Sequence, residues 1–313
     1  MIGGLQMLRG LAATLVVAFH LQAAALNEGY DPGLFRLFAQ GEAGVDIFFV
    51  LSGFVIFHAA AGNPALTARR FLAQRFWRIV PPYWAALALT LAALAALAIL
   101  RGDAGALPDA RGIAVSVLLL PLPGQVMAVA WTLTVEALFY LLFALTWFRF
   151  GARGALIALA LWSLAGQAAR LWPGGVPEAL ALILYSGVVE FLMGALIARA
   201  SAAGLRALAL PSLLAGALLM AAVVPGLIPL SLGREWVAGL PAAALVYGIV
   251  TLRPPMPGWA LLWGEASYLL YLSHLLVFSI LGTVLRMAGV APYAAPEGHA
   301  APLLLAGFRG RPG

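Results

Sequence analysis

The chain has 313 residues, of which 64% are hydrophobic and only 10% charged. Soluble domains run at about 45–50% apolar and about 25% charged, so this composition excludes a single soluble core and points to the bilayer as partner and solvent. The net charge of +6 does not indicate nucleic acid, because the basic residues lie in short loops between apolar runs and not on one polar face.

Apolar runs of about 20 residues, enough to span hydrocarbon, predict an all-α fold: a polytopic integral membrane helix bundle of about nine to ten transmembrane helices. The spans fall at approximately 7–26, 43–61, 79–100, 130–148, 155–171, 178–198, 207–224, 235–251 and 260–285, read from apolar length and Gly/Pro punctuation. They form one membrane domain over 1–290, followed by a short irregular tail over 291–313. Residues 113–122 are apolar but short and end at Pro121, which predicts a partly buried or re-entrant piece. The first run, with Arg9 and Ala23-Ala24-Ala25, also has the outline of a cleaved secretory signal. His20 inside it argues for a retained helix.

Arginine bias sets the orientation. The cluster Arg69, Arg70, Arg75 and Arg78 falls on the side of the N-terminus, while the acidic loop residues Glu28, Asp31, Glu42, Asp103, Asp109, Glu178 and Glu235 fall opposite. A multi-pass protein of the inner (cytoplasmic) membrane with a cytoplasmic N-terminus is expected. Cysteine is absent, which excludes disulfides, thiolate metal sites and an acyl-cysteine intermediate. No metal site is expected.

Ionisable residues inside spans are costly and are functional candidates: His20, Asp46, Glu136, Glu190, Glu265 and His274, with Arg9, Arg75 and Arg78 at the inner boundary. Arg9 and His20 are separated by almost three turns, so they share one helix face, roughly 16 Å apart along the axis. Taken alone, they also fit an N-terminal anchor and an unrelated core histidine. Asp46 fits a helix N-terminus, where the macrodipole favours a carboxylate. Glu136 has no cationic neighbour in its own helix and needs a partner elsewhere. The predicted topology places His20, Asp46 and Glu136 at similar outer depths. Arg75 and Arg78 share a face and suit either membrane anchoring or bidentate grip on phosphate, which Arg performs and Lys does not. Pro81-Pro82 is expected to break or kink the helix just beyond them. Ser52 lacks the frame of a hydrolase nucleophile and is expected to hydrogen-bond between helices.

Several runs, in order, resemble acyltransferase family 3, the membrane-bound O-acyltransferases of cell-envelope glycans. They are Leu8-Arg9-Gly10 with Phe19-His20, Gly44-Val45-Asp46-Ile47-Phe48-Phe49-Val50-Leu51-Ser52-Gly53-Phe54, and Arg75-Phe76-Trp77-Arg78-Ile79-Val80-Pro81. Further along come Trp131-Thr132-Leu133-Thr134-Val135-Glu136-Ala137-Leu138-Phe139-Tyr140, Glu190-Phe191-Leu192-Met193-Gly194 and Ser267-Tyr268-Leu269-Leu270-Tyr271-Leu272-Ser273-His274. The N-terminal run and short length look most like the exopolysaccharide acetyltransferases. The resemblance implies transfer of an acyl group, usually acetyl, to a hydroxyl of an exopolysaccharide, lipopolysaccharide or related glycan, free or lipid-linked. On that reading Arg9, Arg75 and Arg78 hold the phosphates of acetyl-CoA or another acyl-CoA. His20 serves as general base or transient acyl carrier, and Asp46 or Glu136 orients it. The family's last helix has no counterpart of sufficient length beyond Arg286, so the tail is expected to be truncated relative to the family. The competing readings are a lipid-linked glycan flippase or transporter, and an inactive truncated acyltransferase.

Overall fold

The computed structural model describes residues 2–27, 29–101, 107–202 and 206–287; the tail 291–313 lies outside them. Among the described residues there is no strand. The helices are α1 (Gly3–Asn27), α2 (Gly44–Ala61), α3 (Ala68–Arg101), α4 (Ala110–Val117), α5 (Ala130–Ala169), α6 (Val189–Ala202), α7 (Ala209–Val223), α8 (Arg234–Val237), α9 (Gly239–Leu252) and α10 (Gly258–Met287). Large apolar side chains such as Ile99, Leu145, Leu161 and Leu218 lie exposed on the outside of the bundle, where a bilayer would cover them.

Among the described residues, six helical segments are long and apolar enough to cross a membrane: Gly3–Asn27, Gly41–Ala61, Ala68–Leu100, Ala130–Ala169, Arg234–Leu252 and Gly258–Leu285. Two features of the bundle separate this count from the expected nine to ten. First, α6 and α7 have only 14 and 15 residues. Much of 178–188, expected to be helical, instead forms turns whose carbonyls are satisfied from α5. Trp162 Nε1 donates to the Ile183 carbonyl at 2.6 Å and Gln167 Nε2 to that of Ser186 at 3.0 Å. Second, α5 joins two of the expected spans across Gly151, whose φ of 68° and ψ of −167° are not helical. The left-handed φ is one that glycine adopts without steric cost. Phe139, before Gly151, stacks on Phe191 at 4.4 Å between ring centroids, and Trp162, after it, stacks on the same ring at 6.5 Å. In a straight helix those two residues would be about 35 Å apart, so the chain doubles back at Gly151.

Pro81 and Pro82 lie inside the continuous helix α3, against the expected break. The missing N–H groups free the carbonyls of Trp77 and Arg78, one turn back, and the Tyr268 hydroxyl of α10 donates to the neighbouring Ile79 carbonyl at 2.8 Å, tying the proline turn to the next helix. Arg75 and Arg78 therefore sit within a continuous helix. The short segment expected at 113–122 is the two-turn helix α4. Asp109 caps it by accepting from Gly112 N at 2.7 Å, and Tyr83 and Trp84 of α3 tie its end down through the Ser116 and Val117 carbonyls.

Close helix contact rests on small residues, as expected where lipid supplies no hydrophobic drive between helices. A Cβ on Gly53 of α2 would strike the Phe191 carbonyl of α6, and one on Gly194 would strike the Val50 carbonyl in return. Helices α1 and α10 run parallel: Gln6 packs on Gly264, Trp263 Nε1 donates to Thr14 Oγ1 at 3.2 Å, and His20 meets His274.

Candidate active site

Helices α1, α2, α3, α5 and α10 enclose a cavity of about 450 Å³. The face of α2 that lines it carries Val45, Phe48, Phe49, Ser52, Val55 and Ile56, a helical repeat that leaves Asp46 off the face. Arg9 from α1, Arg75 and Arg78 from α3, and Glu136 and Tyr140 from α5 converge on the same space. The arginines expected to act together are thus brought together from two helices.

Glu136 is held from one side. Its Oε1 accepts from Ser52 Oγ at 2.5 Å and from the Tyr140 hydroxyl at 2.6 Å. The helix-to-helix role expected of Ser52 is therefore what the structure contains. Tyr140 was recoverable from sequence, since it lies one turn beyond Glu136 on the same face. None of Arg9, Arg75 and Arg78 makes a hydrogen bond or ion pair to protein among the described residues, and the Nε atoms of Arg9 and Arg75 are buried without an acceptor. Arg75 has the Phe71 ring at 5.8 Å as its neighbour. Glu136 acts on Arg9 through its field alone. Arg9 and Arg75 are half-buried and Arg78 is exposed, and three guanidiniums without protein partners around one cavity fit a ligand that brings several anionic oxygens.

His20 does not meet either carboxylate expected to orient it. Its ring faces His274 of α10, with centroids 4.9 Å apart. A carbonyl oxygen only accepts, so contacts to carbonyls fix the tautomers of two neutral rings. His20 Nδ1–H donates to the Val16 carbonyl at 2.9 Å, and His274 Nδ1–H donates to the Tyr271 carbonyl at 2.8 Å. His274 Nε2 is then unprotonated, and it lies 3.3 Å from His20 Nδ1. The proton on His20 Nδ1 is shared between two acceptors, and His20 Nε2 is left as the free base. The pair borders the cavity through Tyr271, which lines it, lies 6.0 Å from the His274 ring, and bonds Thr132 Oγ1 at 2.8 Å.

Asp46 is 1% exposed and belongs to a different cluster. Arg234 Nε lies 3.2 and 3.1 Å from its two oxygens, and Nη2 donates to Oδ2 at 2.9 Å and to the Glu42 carbonyl at 2.7 Å. Glu190 is fully buried beside Asp46, with neither oxygen hydrogen-bonded, and Glu235 pairs with Arg170. The expected orienting contact from Asp46 to His20 is absent because a guanidinium fork already satisfies that carboxylate. Arg234 is far off in sequence, and nothing local to Asp46 announces it. Glu265 lines the arginine cavity. Among the described residues no group of His and carboxylates is arranged to hold a metal ion.

A multi-pass helical membrane protein with a cavity between its helices, lined by three arginines and bordered by a histidine pair, has the build of a membrane-embedded group-transfer enzyme. The family model for the acyltransferase domain of the acyltransferase 3 type matches residues 2–308, and the chain belongs to that family of acyltransferases. A stretch of 118 residues is 34% identical to the exopolysaccharide production protein ExoZ of Rhizobium meliloti (strain 1021), covering 34% of each chain; the match thus spans about a third of that relative. No solved structure matches the chain.

Proposed function

We propose that this acyltransferase moves an acyl group, acetyl in the simplest case, from acyl-CoA to a hydroxyl of an exopolysaccharide or related envelope glycan. The observation that carries the donor assignment is the convergence of Arg9, Arg75 and Arg78, without protein partners, on one cavity. Three guanidiniums suit the phosphates of coenzyme A, and Arg forks bind phosphate bidentately. The apolar remainder of the cavity, from Ile79 and Val55 to Phe48 and Tyr271, suits the pantetheine arm. The acceptor class rests on the partial likeness to a protein of exopolysaccharide production.

In this reading the N-terminus is cytoplasmic, the protein resides in the inner membrane, and the arginines face the cytoplasm as the source of acyl-CoA. His20 Nε2 takes the proton of the acceptor hydroxyl as its oxygen attacks the thioester carbonyl carbon. The carbon–sulfur bond then breaks, and the thiolate leaves and is protonated to free coenzyme A. A positioned base of this kind contributes typically about 10²–10⁴-fold. The Val16 carbonyl sets the tautomer of His20, and His274 takes the expected carboxylate's place as the second acceptor facing its Nδ1–H.

The test is mass spectrometry of envelope polysaccharides from cells with and without the gene, alongside acetyl-CoA binding to the purified protein in nanodiscs. Loss of an ester-bound acetyl group from an otherwise intact repeat unit is the expected result. Loss of whole repeat units with no acetyl-CoA binding would replace this reading with a flippase.

A further inference from the structure

A second cavity, of about 370 Å³, lies at the start of α5, with Asp109, Gly112, Gln125, Trp131, Glu178 and Leu182 among its lining residues. Its volume falls within the range of roughly 300–1,000 Å³ usual for small-molecule sites. Trp131 lines it, while the next residue, Thr132, lines the arginine cavity. The Phe49 ring, on the wall of the arginine cavity, lies 6.2 Å from that of Trp131. One layer of aromatic side chains therefore parts the two spaces.

Their chemistry is opposite. The arginine cavity offers cations; no cation lines the second one among the described residues. It offers acceptors. Asp109 commits Oδ1 to the Gly112 N–H, leaving Oδ2 without a partner among the described residues. Gln125 is fixed by its Nε2, which donates to the Leu120 carbonyl at 3.3 Å and to Thr134 Oγ1 at 2.7 Å, so its Oε1 remains for a donor. Glu178, on an exposed turn, makes no bond to described residues. The Trp131 indole is braced edge-on by Tyr185 at 5.3 Å and by Phe49. The two carboxylates disfavour phosphate and carboxylate ligands, and the three oxygen acceptors suit a ligand that presents several hydrogen-bond donors, as the hydroxyls of a sugar do. An indole adds an apolar platform for the C–H face of a ring, with a polar handle at its edge.

We infer that this cavity binds a neutral sugar unit of the acceptor glycan, with Trp131 as its platform and Asp109, Gln125 and Glu178 as acceptors for its hydroxyls. The word acceptor rests on the acyl-transfer reading; the binding of a neutral sugar does not. The site would hold one sugar unit of the glycan beside the Trp131–Phe49 pair, at the start of α5, while another unit carries the hydroxyl that is acylated. It would select neutral sugars over uronic acids by charge.

Saturation-transfer NMR on the full chain in nanodiscs tests this, with methyl β-D-glucopyranoside, methyl β-D-galactopyranoside and sodium glucuronate as probes. At least one neutral glycoside is expected to be saturated, and glucuronate not. Glu178→Lys is expected to weaken the glycoside roughly tenfold, the value of one hydrogen bond to a charged group, and Trp131→Leu to abolish the signal. Glu178 is exposed, so its variant decides the matter if Trp131→Leu does not fold. Absence of glycoside saturation, equal saturation by glucuronate, or indifference to Glu178→Lys would overturn the inference. Acetyl-CoA binding is measured in the same samples. Its loss in the wild-type chain with sugar binding intact removes the transferase reading and leaves the sugar site; the reverse pattern removes only the sugar site.

Discussion

His20 Nδ1 and His274 Nε2 face each other across α1 and α10 at 3.3 Å, with both Nδ1 protons assigned by backbone carbonyls. His274 thereby holds the place that a carboxylate has behind the histidine of a hydrolytic triad. It differs in being neutral: on the proposed mechanism it accepts from the Nδ1–H that the Val16 carbonyl orients and shares the charge that His20 gains, without placing a buried anion in the bundle.

Substitution at the two positions separates chemistry from packing. His20→Ala and His20→Gln are both expected to lower transfer by about 10²–10⁴-fold with acetyl-CoA affinity unchanged, since an amide cannot take the proton at neutral pH. His274→Phe preserves an aromatic ring beside Phe278 but offers no acceptor. It should lower kcat with little change in KM for the donor, and His274→Gln, which restores an acceptor oxygen, should recover part of the rate. Full activity in His20→Gln would remove the base assignment. Full activity in His274→Phe alone would reduce that residue to packing.

Donor binding should depend on the fork geometry of the arginines. Arg78→Lys keeps the charge but loses bidentate contact, so acetyl-CoA affinity should fall. Arg75→Ala combined with Arg78→Ala should weaken it on the order of 100-fold, two charge-assisted bonds being lost. Isothermal titration in nanodiscs reads this directly. Unchanged affinity in the double variant would return the pair to membrane anchoring.

The Asp46–Arg234 pair should matter for stability more than for chemistry. Removing one partner of a buried pair costs about 3–5 kcal/mol. Asp46→Ala and Arg234→Ala should therefore each lower the thermal unfolding midpoint, and the double variant should cost much less than the sum. Acetyl-CoA affinity of the folded fraction should be retained. Additive destabilisation, or loss of donor binding in the folded protein, would contradict this assignment.

The proposed orientation is open to labelling, since the chain has no cysteine. Leu34→Cys, on an exposed turn after α1, should react with an impermeant maleimide from outside intact cells. Gln74→Cys, exposed on α3 beside Arg75, should react only after permeabilisation. The opposite pattern would put the arginines on the wrong side for cytoplasmic acyl-CoA.

Composition alone determined the helical, membrane-embedded character, because about 20 apolar residues in a row have few other uses. Helix periodicity placed Arg75 with Arg78, and the cost of burying charge singled out His20, Asp46 and Glu136 before any contact was known. Only the tertiary structure decided their partners. A helix face specifies which residues can meet along one helix, while Glu136 with Ser52, His20 with His274 and Asp46 with Arg234 are contacts across 84, 254 and 188 residues of chain. Those depend on the close approach permitted at Gly53, Gly194 and Gly264 and on the reversal at Gly151. The separation of the three expected site residues into an arginine cavity, a histidine pair and a buried acid–arginine cluster follows from which helix surfaces pack together. Local sequence carries the chemistry of each residue, and packing assigns it a neighbour.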